Sequence, residues 1–422
     1  MNKNNNKILD NKIIDDGALQ EVQGGVCAPQ GFTAAGLRTG IRKSKTKKDL
    51  ALIYCEVPCV AAAVYTSNKV KAAPLYVTMD HLKDGKAQAI VANSGNANSC
   101  APQGEENATR MTQAAATALG IKKEDIIVAS TGIIGVPLEI DKIEKNMPAL
   151  AEVLSMDGSS DAAEAIMTSD TYKKEYSVSM DLGGKKVKIG GISKGSGMIH
   201  PNMGTTLTFL TTDLNIEQSL LQKALKYCVK KSFNRISIDG DTSTNDMACI
   251  LADGLAGNKY ITEESEDYHI FLNGLLQVCV YLARELARDG EGASRLITCT
   301  MVNVKNEDKA EILAKAVISS SLTKAAMFGG DANWGRVLCA MGYSGAEFDY
   351  ENTDIYFKSN AGEIKVCVNG RGLAFDEDLA KKVLSEEEIE IFVDLKEGTE
   401  KATAWGCDLT YDYVKINGDY RS

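Results

Sequence analysis

Histidine is scarce: His81, His200 and His269 are the only three in 422 residues. None stands in an HExxH or comparable ligand spacing. Histidine-based metal sites are therefore poorly supplied, as are Ser-His-Asp triads, although one histidine is enough for a triad. Long apolar runs are missing too, since no stretch approaches the roughly 18 uninterrupted apolar residues of a membrane helix. The leader MNKNNNKILDNKIIDDG is polar and Asn-rich, without the apolar h-region of a secretory signal. It reads as a frayed or mobile segment, and the expected compartment is the cytoplasm. Positive charge is in deficit, with 47 Lys and Arg against 57 Asp and Glu, for a net charge of −10. An acidic surface repels phosphate backbones, so binding nucleic acid would need a local basic patch. The densest candidate, Arg42 to Lys48 (RKSKTKK), has no interleaved aromatic residues and reads as a solvated loop. A disulfide framework is absent as well. The eleven cysteines are odd in number and scattered from Cys27 to Cys407. Most sit in apolar runs, as Cys228, Cys279 and Cys339 do, and read as reduced core thiols. Cys55 and Cys59 form a CxxxC without a second pair, which does not support a zinc site.

What is present is ordinary globular material, 44% apolar and 25% charged. At roughly 150 residues per domain the length suggests two or three domains, with ample core and no dominant disorder. There is no internal repeat. LALIYC (50–55), VAAAVYT (60–66), AQAIVAN (87–93) and IIVAS (126–130) read as buried strands. Glu105 to Leu119 and Ser159 to Met167 read as helices, and 176–192 as a hairpin about Gly183-Gly184. LTFLTTD (207–213) is a β-type run, followed by a helix with Ile216, Leu220, Leu221, Ala224, Leu225 and Cys228 on one face. RISID (235–239) and ACILAD (248–253) read as strands, and Phe271 to Ala287 as a strongly apolar helix. From about Leu296 to residue 398, strands and helices resume as a smaller α/β subdomain. Bunched strands with helices between them place the chain in the α/β or α+β class.

The most unusual stretch is Lys194 to Asp213, KGSGMIHPNMGTTLTFLTTD. It admits three readings. One is a glycine-rich turn between strands. A phosphate cradle is weaker, because the GxxxxGK[ST] order is absent. The third is self-cleavage at Gly204-Thr205, in which the Thr205 hydroxyl attacks the preceding carbonyl and water releases the ester. The product is an N-terminal Thr205 whose hydroxyl is the nucleophile and whose α-amine, of ordinary pKa about 7.7–8.0, is the base. Such chemistry needs no histidine. STGIIG (130–135) follows a strand end and reads either as a turn or as an oxyanion hole, with the Thr131 hydroxyl and Gly132 amide as donors. NSGNAN (93–98), DGDTSTND (239–246) and GGDANWGR (329–336) are also dense in polar residues and glycine. Singly each reads as a turn; together, at the ends of β-like runs, they read as loops that build a site.

These residues resemble the ornithine acetyltransferase family, also called glutamate N-acetyltransferase or ArgJ, of cyclic arginine biosynthesis. The likeness runs from GFTAAGLRTGIR (31–42) to the last residue. It includes VKAAPL (70–75), NSGNANSC (93–100), STGIIG, AIMTSDT (165–171), KGSGMIHPNM (194–203), FLTTD (209–213), STND (243–246), EG near 291 and DANWGR (331–336). Many motifs in one order are specific where any single one is weak.

The resemblance implies Thr205 as nucleophile and new N-terminus, cut from Gly204, with Thr131 and Gly132 as the oxyanion hole. It implies substrate binding by Thr168, Lys194, Thr205, Glu291, Asn417 and Ser422. The family more often has Ala and Met where this chain has Gly204 and Thr206, and Thr where it has Ser169. The implied fold is that of self-cleaving aminopeptidases, with a smaller C-terminal α/β part. The implied mature form is two chains, 1–204 (alpha) and 205–422 (beta), assembled as a dimer of such pairs. No metal or organic cofactor is implied. Acetyl-CoA enters only as an alternative acetyl donor, on which members differ. Two rival readings are an amidase or aminopeptidase of the same fold, with water as acceptor, and a non-catalytic binding module whose loop never cleaves.

Overall fold

The computed structural model describes residues 19–200 and 206–419. The Asn-rich leader, the Gly204-Thr205 step and Ser422 lie outside the described residues. The chain is mixed α/β, built on two mixed sheets. The larger takes β1 (Leu19–Glu21), β2 (Phe32–Leu37), β3 (Leu50–Tyr65), β4 (Lys86–Asn96), β5 (Ile126–Ile133), β6 (Lys174–Leu182), β7 (Lys185–Lys194) and β8 (Leu207–Thr212). The smaller takes β9 (Ile236–Ser237), while β10 (Met247–Ala252) returns to the larger. The rest of the smaller sheet is β11 (Leu296–Val304), β12 (Asp354–Ser359), β13 (Gly362–Val368), β14 (Arg371–Gly372), β15 (Glu388–Asp394) and β16 (Glu400–Cys407). The orders are β1-β6-β7-β8-β10-β3-β4-β5, with β2 on β3, and β14-β13-β12-β15-β11-β16-β9. The smaller sheet thus takes in β16, beyond residue 398, and β9, from before residue 296.

Helices cover both faces of the larger sheet, and strand composition shows why. In β8 and β10, Leu210, Ala248 and Ile250 pack into one core with α5 (Gln218–Lys231) and α6 (Glu266–Arg288). The alternate residues Phe209, Cys249 and Leu251 pack into another with a short helix, Ser159–Ile166. A strand buried on both faces reads as a continuous apolar run, as β10 (MACILA) does, while β8 (LTFLTT) buries threonines among its apolar residues. That short helix is α4, following α1 (Ala73–His81), α2 (Gly104–Leu119) and α3 (Ile140–Glu152). Around the smaller sheet lie α7 (Glu307–Ser319), α8 (Ser321–Gly329), α9 (Trp334–Gly342) and α10 (Glu377–Val383), and α11 (Tyr411–Asp419) ends the described chain.

Five readings of the sequence change. LALIYC and VAAAVYT are one strand, β3, whose pairing with β4 shifts register between Tyr54 and Cys59. Pro58 falls inside that irregularity, where a strand tolerates the missing N–H. RISID shrinks to Ile236-Ser237, because the Asp239 carboxylate turns to accept from the Met198 and Ile199 amides, at 2.6 and 2.8 Å. Gly329 to Arg336 follows a helix rather than a strand. Gly330, at φ 66°, closes α8, and the Asn333 side chain caps α9 by accepting from the Arg336 amide. Helix caps use the same glycine and asparagine that loops do. Cys339 is exposed, on the outer side of an α9 that buries Val337, Ala340 and Met341. Ile216 stands before α5, bridged to Ile261, rather than on its face.

The helix over 266–288 is longer than expected and, by length and composition alone, long and apolar enough to cross a membrane. It lies instead on β6 and β7, with Phe271, Leu275, Val278, Leu282 and Leu286 fully buried. Ser265 caps its start by accepting from the Tyr268 amide, with Glu266 and Asp267 in the first turn favouring the positive helix end. Its last residue, Arg288, leads directly to the loop that carries Glu291.

Candidate active site

A cavity of about 820 Å³ opens where β5, β7, β8 and β10 converge. Thr131, Gly132, Thr168, Lys194, Glu291 and Asn417 all line it, and so does Thr206. These are the six expected site residues that fall among the described ones. Gly204, Thr205 and Ser422 do not fall among them. A second cavity of about 560 Å³ takes none of the six; Gly290 and Gly292 face it, while Glu291 between them faces the first.

Thr131 and Gly132 lie just before the end of β5, paired in parallel with Ser94 and Gly95 of β4. Gly132 sits at φ 131°, and a Cβ there would lie 2.4 Å from the Gly95 carbonyl carbon. Only glycine fits so close to a neighbouring backbone at that φ. Asparagines brace the segment from both sides. Ser130 donates to Asn93 Oδ1 at 2.6 Å, and Asn245 Nδ2 donates to the Ser130 and Ala97 carbonyls at 2.8 and 2.6 Å. NSGNAN and STND are thus the two clamps on STGIIG.

Lys194 ends β7 and is buried, its Nζ donating to Thr131 Oγ1 across a long 3.4 Å. Burial pulls this ammonium below its ordinary pKa, and nearby Lys174 adds to the fall; Asp170, Asp246 and Glu291 oppose it. Asp170 is the hub beneath the site. Its carboxylate accepts from the Thr168 amide at 2.9 Å, the Gly195 amide at 2.7 Å and Lys174 Nζ at 2.9 Å. Burial alone would push this acid up, but Lys194, Lys174 and the Gly195 amide outweigh it and hold the acid well below the usual carboxylate range. Lys174 donates onward to Asp289 at 2.5 Å, two residues before Glu291. One buried ion relay therefore ties together the segments that carry Thr168, Lys194 and Glu291. Lys174→Ala removes its central cation and leaves two carboxylates buried without it. The expected loss is about 3–5 kcal/mol of stability, read as a lower midpoint in urea unfolding.

Glu291 is held by its own amide, which donates to the Ser196 carbonyl at 2.7 Å, and its carboxylate accepts from Asn417 Nδ2 of α11 at 2.8 Å. A Cβ on Gly197 would meet that carboxylate at 2.6 Å, so the glycine makes room for it. The cavity thus carries a cation at Lys194 and an anion at Glu291, a charge pattern suited to an amino acid with a second, cationic amine.

Three contributors escaped the sequence reading. Arg42, the first residue of the run taken as a solvated loop, lines the cavity and donates to the Met167 and Thr168 carbonyls at 2.7 and 2.8 Å. Asp170 and Asp246 lie inside quoted motifs, but spacing alone assigned them no partner. Asp246 is 3% exposed, and its Oδ1 accepts from the Thr206 amide at 2.9 Å. Burial pushes its carboxyl up to about 7, against the Thr206 amide, Ser243 and Lys194.

Residues 33–422 match the model of the ArgJ family. This chain belongs to that family. The arginine biosynthesis bifunctional protein ArgJ of Caldanaerobacter subterraneus is 51% identical over 405 residues, covering 96% of this chain and 100% of the relative. The protein of the same name from Bacillus subtilis is 44% identical over 411 residues, 97% of this chain and 99% of its own. A crystal structure of ornithine acetyltransferase from Mycobacterium tuberculosis, complexed with ornithine, is 35% identical, with a TM-score of 0.41. It covers 44% of this chain and 99% of that chain. The ArgJ match spans every cavity residue named above, from Arg42 to Asn417.

Proposed function

We propose that the chain moves the acetyl group of N²-acetyl-L-ornithine to L-glutamate through an acetyl ester on Thr205. Membership of the ArgJ family makes it an acyltransferase of arginine biosynthesis. The observation that carries the finer reading is the convergence of Thr131, Gly132, Thr168, Lys194, Glu291 and Asn417 on one cavity that also reaches Thr206, the residue after the nucleophile.

Self-cleavage between Gly204 and Thr205 frees the Thr205 amine. The Thr205 hydroxyl then attacks the acetyl carbonyl while the amine, directly or through water, takes its proton. The Thr131 hydroxyl and Gly132 N–H hold the oxyanion. The C–N bond to ornithine breaks, the proton passes to the leaving amine, and the acetyl group stays on Thr205. Glutamate attacks the ester with its amine, restoring the threonine hydroxyl and forming N-acetylglutamate. Lys194 pairs with the substrate carboxylate and Glu291 with the δ-ammonium of acetylornithine, while Thr168, Asn417 and Ser422 complete the binding site. The enzyme works in the cytoplasm as two alpha and two beta chains, without metal or organic cofactor. The relatives' name, bifunctional, is the reason to assay acetyl-CoA as a second donor.

Two half-reactions at one site predict ping-pong kinetics. Parallel double-reciprocal lines are expected, with an acetyl adduct on the 205–422 chain when glutamate is withheld. Converging lines without an adduct mean direct transfer and overturn the ester. Ornithine release independent of glutamate points instead to an amidase.

A further inference from the structure

Arg42 stands in the loop that joins β2 to β3, and Asp49, at the end of that loop, holds its main chain. The fully buried Asp49 carboxylate accepts from the Thr39, Gly40 and Arg42 amides at 2.5, 3.0 and 3.0 Å, and from the Thr39 hydroxyl at 2.8 Å. The arginine's backbone is thus placed by hydrogen bonds that do not involve its side chain. Its stem crosses Gly95 of β4, where a Cβ would come within 2.7 Å of the Arg42 Cγ. Beyond that glycine, Nη1 donates to the Met167 carbonyl at 2.7 Å and Nη2 to the Thr168 carbonyl at 2.8 Å. Met167 closes α4, and carbonyls at a helix end lack helical partners and carry partial negative charge. A planar cation with forked donors suits two such acceptors in a row. Ser94, beside Gly95, donates to the Ala165 carbonyl of the same helix end at 2.7 Å. Thr168 is therefore held on both sides of its backbone, its carbonyl by Arg42 and its amide by Asp170 at 2.9 Å. Its hydroxyl has no hydrogen bond among the described residues, and the residue lines the cavity.

We propose that Arg42 is a positioning residue for acetylornithine binding: by holding the Thr168 carbonyl it fixes the direction in which the Thr168 hydroxyl is presented to the substrate. This rests on the reading of Thr168 as a substrate-binding residue. A threonine hydroxyl sits on Cβ and its χ1 is stiff, so the hydroxyl follows the orientation of the backbone beneath it. Without the guanidinium the Thr168 carbonyl has lost its donor, and the backbone there is free to turn the hydroxyl away. The other charged groups of the cavity stand on separate supports. Asp170 is bonded to Lys174 and to the Gly195 amide beside Lys194, and Lys174 to Asp289, without using Arg42. Thr131 stands on the Asn93 and Asn245 clamps. Loss of Arg42 is thus a loss of binding rather than of chemistry.

The test is a double-mutant cycle between Arg42→Ala and Thr168→Val, read as kcat and KM for acetylornithine at saturating glutamate. Arg42→Ala removes two charge-assisted hydrogen bonds and is expected to raise KM about tenfold, with kcat within about threefold of the native enzyme. Thr168→Val keeps the shape, removes the hydroxyl and is expected to raise KM by a similar factor. If Arg42 acts through Thr168, the double variant is no worse than about twofold beyond Thr168→Val alone. Arg42→Lys reaches one carbonyl instead of two and is expected to recover part of the loss. Should the Arg42→Ala chain fail to fold, Arg42→Lys carries the same cycle. Losses that multiply in the double variant, or a fall in kcat at unchanged KM, give Arg42 a role apart from Thr168 and overturn the proposal. A KM that Thr168→Val leaves unchanged sinks the reading of Thr168 itself, and the proposal with it. A KM raised by Thr168→Val but unmoved by Arg42→Ala sinks only the role of Arg42.

Discussion

Thr205→Ala is expected to give one uncleaved chain of 45.3 kDa without transferase activity, and the native protein two fragments of nearly equal mass. The hydroxyl of Thr205 is one residue from the Gly204 carbonyl, so its attack is internal rather than bimolecular. Effective molarities of well-oriented internal reactions reach about 10⁵–10⁸ M, so a single hydroxyl without a base of its own can cut a peptide bond. The described chain resumes at Thr206 with its amide on Asp246 and its carbonyl on Met247, a firm anchor on the C-terminal side of the scissile step. Removing the hydroxyl removes both the cleavage and the later acetyl acceptor, so the two losses come together. Thr205→Ser keeps the hydroxyl and is expected to retain part of both, with slower processing because the lost methyl frees its χ1 rotamer. Intact mass and N-terminal sequencing check this; the second fragment should begin Thr-Thr-Leu-Thr-Phe. Cleavage of Thr205→Ala at the same bond would assign the cut to a contaminating protease.

Thr131→Ala is expected to lower kcat by about 10²-fold or more, with a much smaller change in KM, because in the proposed mechanism the donor it removes serves an oxyanion that exists only in the transition state. The backbone around it does not depend on the hydroxyl. Asn245 holds the Ser130 carbonyl, Ser130 is bonded to Asn93, and the β4–β5 ladder continues through Gly132. Lys194 loses only a 3.4 Å contact and keeps the field of Asp170. The variant should therefore fold and unfold like the native protein. Slower self-cleavage is expected as well, since that reaction also passes through a tetrahedral oxyanion. Steady-state kinetics beside a thermal melt check both halves. Activity within a factor of about two of the native enzyme would make STGIIG a turn and nothing more.

Much of the molecule was legible in order of residues. The α/β class, the hairpin at Gly183-Gly184 and the helix ending at Gly120 follow from local rules of period, turn and cap, and all are present. The segments proposed to carry the chemistry stood out for the same reason. A tight Gly-Thr step, a strand end with Thr-Gly and a lysine among glycines are local patterns that need no partner to be noticed. Arg42 was not legible. A basic residue at the head of RKSKTKK looks solvated until the fold shows it donating to carbonyls 125 and 126 residues away.

The order of residues by itself marked many of the strands and helices, because alternation, capping and β-branching act within a few residues. It also determined the family, because many short motifs in one order suffice for that. Tertiary structure alone decided that β3 continues past Pro58 as one strand, that β9 and β16 join the smaller sheet, and that Asp170, Lys174 and Asp289 form one buried relay. It alone decided that Asp246 meets Thr206. The physical reason is the same in each case. A charge's partner and a strand's neighbour are set by which surfaces the folded chain buries together, and burial is a property of the whole chain, with contacts such as Lys174 to Asp289 spanning 115 residues.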